Sequence, residues 1–243
     1  MAPSTATDLF QCHINTLGCF QITPKFAGDF ATHQLKLDNI QLRLSRLGEI
    51  GIDTIDNADN DANEVERVLG DIGDRIERAK RETSTPENEI GRDVGSNFPS
   101  DLKKIRNQFM KSLDGRKFQA SKDTKIERRD FEKEELLDNF IKNMCELMDD
   151  LERTIPEAKR EVLLKLSDEE CKGLSKSNLE ELKRILQGCD PWLEKSVDKQ
   201  LEAKDKGNVI KQSRNQGTTI GVQYGDNKGI TNGDNNRQRM AFN

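Results

Sequence analysis

An all-α helical bundle followed by a disordered, amyloid-competent C-terminal tail, cross-β when assembled, is the fold class the sequence predicts. Three observations predict it. Apolar side chains recur at helical spacing in segment after segment up to residue 205. Charged residues make up 34% of the 243-residue chain and apolar residues 33%, the balance of helices with narrow buried stripes and wide solvated faces. From Gly207 onward glycine, asparagine, glutamine and threonine take over and helix formers almost vanish. The sequence therefore divides into a helical domain at 1–205 and a tail at 206–243.

The elements follow in order. Residues 9–24 are uncharged from Leu9 to Pro24, and 8–22 reads as an apolar N-terminal helix carrying Leu9, Phe10, Ile14, Leu17 and Phe20. With Gln11, Asn15 and Gln21 among them, it falls short of the roughly 20 apolar residues of a stable membrane span. It is suited to a core or an interfacial helix. In 35–50, Leu37, Ile40, Leu44 and Leu47 form one apolar stripe. An Asp/Asn-rich loop is expected at 51–62, then a helix over 63–82 on Val65, Val68, Leu69, Ile72 and Ile76. Pro86, Gly91, Gly95 and Pro99 mark 83–100 as a loop. Ser100 or Asp101 caps the next helix, which runs on Leu102, Ile105, Phe109 and Leu113. The best helical period of the chain spans 130–154, and Pro156 breaks it or starts the next helix. Shorter helices follow around Leu163, Leu182 and Leu193, with Trp192 as a packing anchor. No strand is expected before residue 205. None of these stripes is long enough to hold a helix in water alone, so they must pack on one another.

The tail has a different regularity. Gly217, Gly221, Gly225, Gly229 and Gly233 recur every four residues. Successive side chains of an extended chain point to opposite faces. One face of 217–233 then carries Ile220, Val222 and Tyr224, and the other is lined with Gly, Gln and Asn. Such a strand is too short to fold alone and has no partner strand of its own. Stacked in register on copies of itself, it pairs every backbone group, ladders Gln223 and Asn227, and zips Ile220, Val222 and Tyr224 into a dry interface. Between Asn215 and Asn227 the only charge is Asp226.

Several function classes are disfavoured. The net charge of −5 argues against a nucleic-acid binder. Five scattered cysteines with no CxxC pair, and only His13 and His33, give no zinc-finger spacing. No Gly-rich phosphate loop or nucleophile–base set is visible, so neither an enzyme nor a cofactor is expected. A basic leader before an apolar stretch is missing, which suggests a reducing cytosol and free thiols. The charge is uneven, however: residues 101–129 carry ten Lys/Arg against four acids. That run is either a solvated helix face or a surface for anionic lipid, with Lys103, Lys104 and Arg106 as lipid-facing candidates.

Residues 26–49, FAGDFATHQLKLDNIQLRLSRLGE, resemble the start of the fungal HeLo domain, the effector half of the HET-s/HET-S heterokaryon-incompatibility prion proteins. Phe26, Asp29 and Phe30 match the family's early aromatic–Asp–aromatic pattern. Gln34, Leu35, Leu37 and Asp38 match its QL–x–LD, and Arg43 through Glu49 its RLSR–x–GE. Residues 133–156 are similar to a later helix of the family, and GCDPWLEKSVDKQL to its closing helix, so the likeness spans about 8–203. The tail has its own: Gly221, Val222, Gln223, Tyr224, Gly225, Asp226 and Asn227 resemble the core of the RIP homotypic interaction motif, an amyloid motif of animal necroptosis, and its fungal counterparts. Ile220 flanks it. The twice-repeated amyloid sequence of HET-s itself is not found.

The resemblance implies a mechanism. A NOD-like receptor with a matching motif templates the tail into amyloid, homotypically and with further copies of this chain. The helical domain then opens, releases its N-terminal helix and permeabilises the plasma membrane. The protein would be cytoplasmic, a soluble homodimer through the helical domain being one resting form, and would move to the membrane on activation. One departure stands out: MAPSTATD occupies the place of the family's longer Gly/Ala-rich apolar stretch. This fits a start assigned downstream of the natural one, or a protein that has lost killing and only propagates or inhibits. The alternative reading is therefore a non-toxic helical interaction or inhibitory protein, similar to the pathogenicity-associated LopB type, whose tail only binds partners.

Overall fold

The structure is a computed structural model. It describes residues 6–22, 29–51, 59–85, 98–117, 128–207, 230–231 and 238–239. The chain divides into two compact units, Met1–Lys199 and Gln200–Asn243.

The helices are α1 Ala6–Leu17, α2 Phe30–Glu49, α3 Asp59–Glu82, α4 Ser100–Asp114, α5 Glu134–Arg153, α6 Glu157–Glu170, α7 Lys176–Leu186 and α8 Pro191–Gly207. The all-α expectation holds. α2 is its centre, because 17 of its 20 residues are buried. A helix buried all round is a core helix rather than a surface one, and α1, α4, α5, α6 and α7 all pack against α2. α3 lies across α1 and α5, and α4 leans on α6 and α7. The period read in 130–154 is the α5 stripe, with Leu137, Phe140, Ile141, Met144, Met148 and Leu151 buried.

Local chemistry sets the helix ends. The Ser175 side chain accepts a hydrogen bond from the Asn178 amide and caps α7. Pro191 opens α8 at the first helical position, where no amide is needed. The Asp190 carboxylate before it accepts from the Leu193 amide at 3.0 Å. The cap position of α4 is Pro99, with no side-chain cap bond, rather than Ser100 or Asp101.

Four sequence expectations are corrected. Strands do occur before residue 205: β1 Phe20–Ile22 pairs in parallel with β2 Arg129–Phe131. Phe20 consequently belongs to a strand, and the N-terminal helix stops at Leu17. The rings of Phe20, Phe131 and Phe140 lie 5.4–5.5 Å apart by centroid and close that end of the core. Three-residue strands show no readable alternation, and this pair is held by a partner distant in sequence and by aromatic packing. α2 starts at Phe30 and α3 at Asp59, each several residues before the first apolar position of the expected stripe. Finally, Trp192 is only partly buried; Leu193 and Val197 anchor α8.

In the second unit, Ile230–Thr231 (β3) pairs antiparallel with Gln238–Arg239 (β4), a short partner strand the sequence reading did not give the tail. The proposed amyloid core, Ile220 to Asn227, lies outside the described residues.

Candidate functional site: the seated N-terminal helix and the arginine pair of α2

The apolar face that the sequence offers to a membrane is turned inward. Phe10, Ile14, Leu17 and Phe20 are each no more than 5% exposed, and Leu9 is partly buried. α1 owes its place mainly to this burial against α2 and α3. Two side-chain hydrogen bonds set its register. Gln41 Nε2 donates to the Ile14 carbonyl at 3.0 Å, which also accepts the Gly18 amide at 3.2 Å. His13 Nε2 lies 2.9 Å from the Leu69 carbonyl oxygen; a carbonyl only accepts, so that nitrogen carries the proton. Burial pushes the His13 pKa down, with Lys80 adding to the shift against the Leu69 bond and Glu77. Among the described residues, no helix is long and apolar enough to cross a membrane.

Behind α1, α2 carries two arginines on which the rest of the bundle converges. Arg43 forks onto Glu152 with two bonds of 2.7 Å and reaches Asp149 at 2.5 Å. Its Nη1 donates to the Cys189 carbonyl at 2.7 Å and the Cys145 carbonyl at 3.5 Å. Arg46, wholly buried, donates to Ser167 Oγ and Asp190 and pairs with Glu170 at 3.2 Å. Arg116 is the second cation on Glu170. Arg46 and Arg43 thus tie α2 to α5, to α6 and to the start of α8, where Asp190 is both cap and counter-ion. Burial pushes the Glu170 carboxyl up to about 7, outweighing both guanidiniums. The carboxylates around Arg43 and Arg46 hold both guanidiniums firmly protonated.

Such a cluster adds little net stability over apolar packing, yet removing one member costs about 3–5 kcal/mol. We call this cluster the latch, because it ties four helices together and loss of one member strands buried charge on the others. Sequence reasoning met Arg43 and Arg46 only as letters of the RLSR motif. The available signal was two arginines three apart among the closely spaced leucines of 35–47, where a buried charge must find a partner.

The basic candidates separate. Lys103 and Lys104 are exposed, Lys104 loosely paired with Asp101 at 3.4 Å. Arg106 is engaged inside the fold instead: its Nε meets buried Asp38 at 2.8 Å and its guanidinium lies 5.1 Å from the Phe98 ring centroid. Asp38 in turn accepts from Gln34 at 3.0 Å, and Gln34 accepts from the Ile22 amide at 3.2 Å. Arg106 thereby braces the strand–α2 junction, which is what a half-buried guanidinium beside a buried acid does.

One trio has metal-ligand chemistry among the described residues: His33, Glu134 and Asp138, with donor atoms within 4.8 Å of one another. His33 Nε2 is 3.3 Å from Asp138 and 3.9 Å from Glu134, while its Nδ1 meets the Asp29 carbonyl at 3.0 Å. With both carboxylates exposed, this is the ordinary arrangement of a histidine–carboxylate pair joining two helix starts.

The fold has known counterparts. The chain is similar to the solved HET-s N-terminal domain, with a TM-score of 0.68 and 18% identity over 83% of this chain and 99% of that one. A double mutant of the same domain gives a TM-score of 0.69 and 19% identity, over 82% and 99%. No curated protein sequence matches it significantly. The HeLo family model, described as prion-inhibition and propagation, matches residues 2–185, three quarters of the chain and all of the arginine hub except its α8 end. The chain belongs to the HeLo family.

Proposed function

We propose that this chain is an amyloid-signalling protein of fungal heterokaryon incompatibility and regulated cell death. Templated folding of the tail would open the helical domain, free α1 and let it permeabilise the plasma membrane. The observation that carries this reading is the composition break at Gly207, which puts a self-stacking pattern directly behind a HeLo domain. The sequestered α1 supports it, since three apolar side chains, Phe10, Ile14 and Leu17, are stored in a helix held by burial and two register-setting bonds. The latch supports it too. α8 leads into the tail, and unwinding its first turn would remove Asp190 from Arg46. The change is a population shift, driven by the greater affinity of a growing fibre for the extended tail.

The templating partner would be a NOD-like receptor bearing a matching motif, and the resting protein would be cytoplasmic, alone or as a homodimer through the helical domain. The test mixes preformed fibres of peptide 207–243 with the full chain and anionic vesicles holding a fluorescent dye. Dye release that needs both the fibres and the tail is the expected result. Fibres that recruit the chain while the vesicles stay intact would remove the killing step.

That outcome would favour the second reading, a non-toxic HeLo protein that binds or inhibits. It has an observation of its own: α1 has only 12 residues and includes Gln11 and Asn15, short for a spanning helix.

A further inference from the structure

His33, Glu134 and Asp138 meet where α2 and α5 begin. His33 lies in the first turn of α2, Glu134 opens α5, and Asp138 follows one turn later. Residues four apart share a helix face, so both carboxylates reach the same ring. Their oxygens stand 3.9 and 3.3 Å from His33 Nε2, and the three donor atoms all lie within 4.8 Å of one another. The histidine is buried, at 7% exposure, whereas both acids are open to solvent.

The far side of the ring fixes what the near side offers. His33 Nδ1 lies 3.0 Å from the Asp29 carbonyl oxygen. A carbonyl only accepts, so Nδ1 carries a proton. In the neutral ring Nε2 is then a lone pair, and it faces two anionic oxygens. Three electron-rich atoms turned toward one another need a positive centre between them. A proton on Nε2 serves one carboxylate well; a divalent cation takes all three donors at once.

We propose that His33, Glu134 and Asp138 form a binding site for a divalent transition-metal ion of the zinc class, which staples the start of α2 to the start of α5. The donor set selects the metal. One imidazole nitrogen with two carboxylate oxygens suits zinc, whereas calcium and magnesium favour oxygen alone. Zinc bonds of about 2.0–2.2 Å set tetrahedral ligand atoms roughly 3.3 Å apart. Asp138 already stands at that distance from Nε2, and Glu134, with its side chain 65% exposed, is free to rotate inward from 3.9 Å. The Asp29 carbonyl plays the part of the outer partner that grips a metal-ligating histidine by its second nitrogen and holds the ring in place. Water completes the coordination from the exposed side. The ion would brace the end of the core where Phe20, Phe131 and Phe140 pack.

The test uses the full chain, stripped with EDTA, and titrates zinc by calorimetry and cobalt by visible absorption. One zinc per chain, a raised melting temperature, and cobalt d–d bands without a thiolate charge-transfer band are the expected results. Glu134→Gln with Asp138→Asn changes only exposed side chains and is expected to weaken zinc binding at least about tenfold. His33→Gln gives the same loss; if it fails to fold, the double variant decides alone. The chain has only two histidines, and His13 Nε2 is committed to the Leu69 carbonyl. Zinc should therefore shift the ring nitrogen signals of His33 and leave those of His13 in place. No binding at submillimolar zinc, undiminished binding in the double variant, or a thiolate band in the cobalt spectrum would overturn the proposal.

Discussion

A Cβ at Gly73 would stand 3.0 Å from Cε1 of His13, so α1 and α3 meet through the absence of a side chain. The ring cannot easily give way, because its Nε2 is held by the Leu69 carbonyl at 2.9 Å. Gly70, one turn earlier, has open space around its Cβ position. The two glycines of one helix therefore respond oppositely to alanine. Gly70→Ala is expected to stabilise the domain by about 1 kcal/mol, the helix-propensity gain. Gly73→Ala is expected to destabilise it by about 1 kcal/mol and to make α1 more susceptible to protease. Urea melts of both variants, with limited proteolysis, check the pair.

Removing the hub cation leaves acids stranded. Arg46→Leu buries Glu170 and Asp190 without their shared partner, both at 0% exposure, and is expected to cost about 3–5 kcal/mol. Arg67→Gln, which breaks only exposed pairs with Glu64 and Asp71, leaves the melt unchanged. Chemical denaturation compares them.

The raised carboxyl of Glu170 makes stability depend on pH in a defined direction. The folded state holds its proton up to about 7, whereas the unfolded chain releases it near the usual value of about 4.3. Between those values the folded state binds more protons, so this contribution is full below about 4.3 and is lost as pH rises through about 7. Glu170→Gln is expected to flatten that part of the stability profile, measured by urea melts from acid to neutral pH.

The basic helix face divides by burial. Lys103→Glu with Lys104→Glu is expected to weaken binding to anionic vesicles severalfold while leaving the melt unchanged, if this face meets lipid. Arg106→Gln does the reverse. It leaves Asp38, 7% exposed, without its guanidinium and is expected to lower stability by about 3 kcal/mol. Vesicle co-sedimentation and thermal melts, read side by side, distinguish the two effects.

In the tail, Val222→Asp puts a charge into the stacked apolar face, and Gln223→Pro removes an amide from every rung. Each is expected to abolish fibre formation while the helical domain keeps its native circular dichroism. Thioflavin-T fluorescence and fibre diffraction near 4.7 and 10 Å provide the measurement. Normal fibres from both variants would put the core elsewhere in 207–243.

Much of the helical domain was legible because its signals are local. The α5 stripe, the apolar positions of α3 and α4, and Pro156 and Pro191 all act within a few residues of themselves. The arginine hub was legible only as a motif. Nothing near Arg43 in the chain names Glu152, and nothing near Arg46 names Glu170 or Asp190. Arg106 looked like one more lysine-like charge of a basic run, because its partner Asp38 comes from another helix. The β1–β2 pair escaped for the same reason: Phe20–Ile22 continues an apolar helix in sequence, and only Arg129–Phe131 makes it a strand.

By itself the sequence determined that the first part of the chain is a helical bundle, that its charge is mostly solvated, and that the composition changes at Gly207. These follow from periodicity and composition, which need no partner. The tertiary structure alone decided that α2 is the buried axis, that the apolar face of α1 is stored rather than displayed, and that the arginines of the RLSR motif form a latch. A stripe says which face of a helix avoids water but not what covers it, and a buried charge must be paired without saying by whom. Those choices are made by long-range packing, where burial of one element sets the electrostatics of the next.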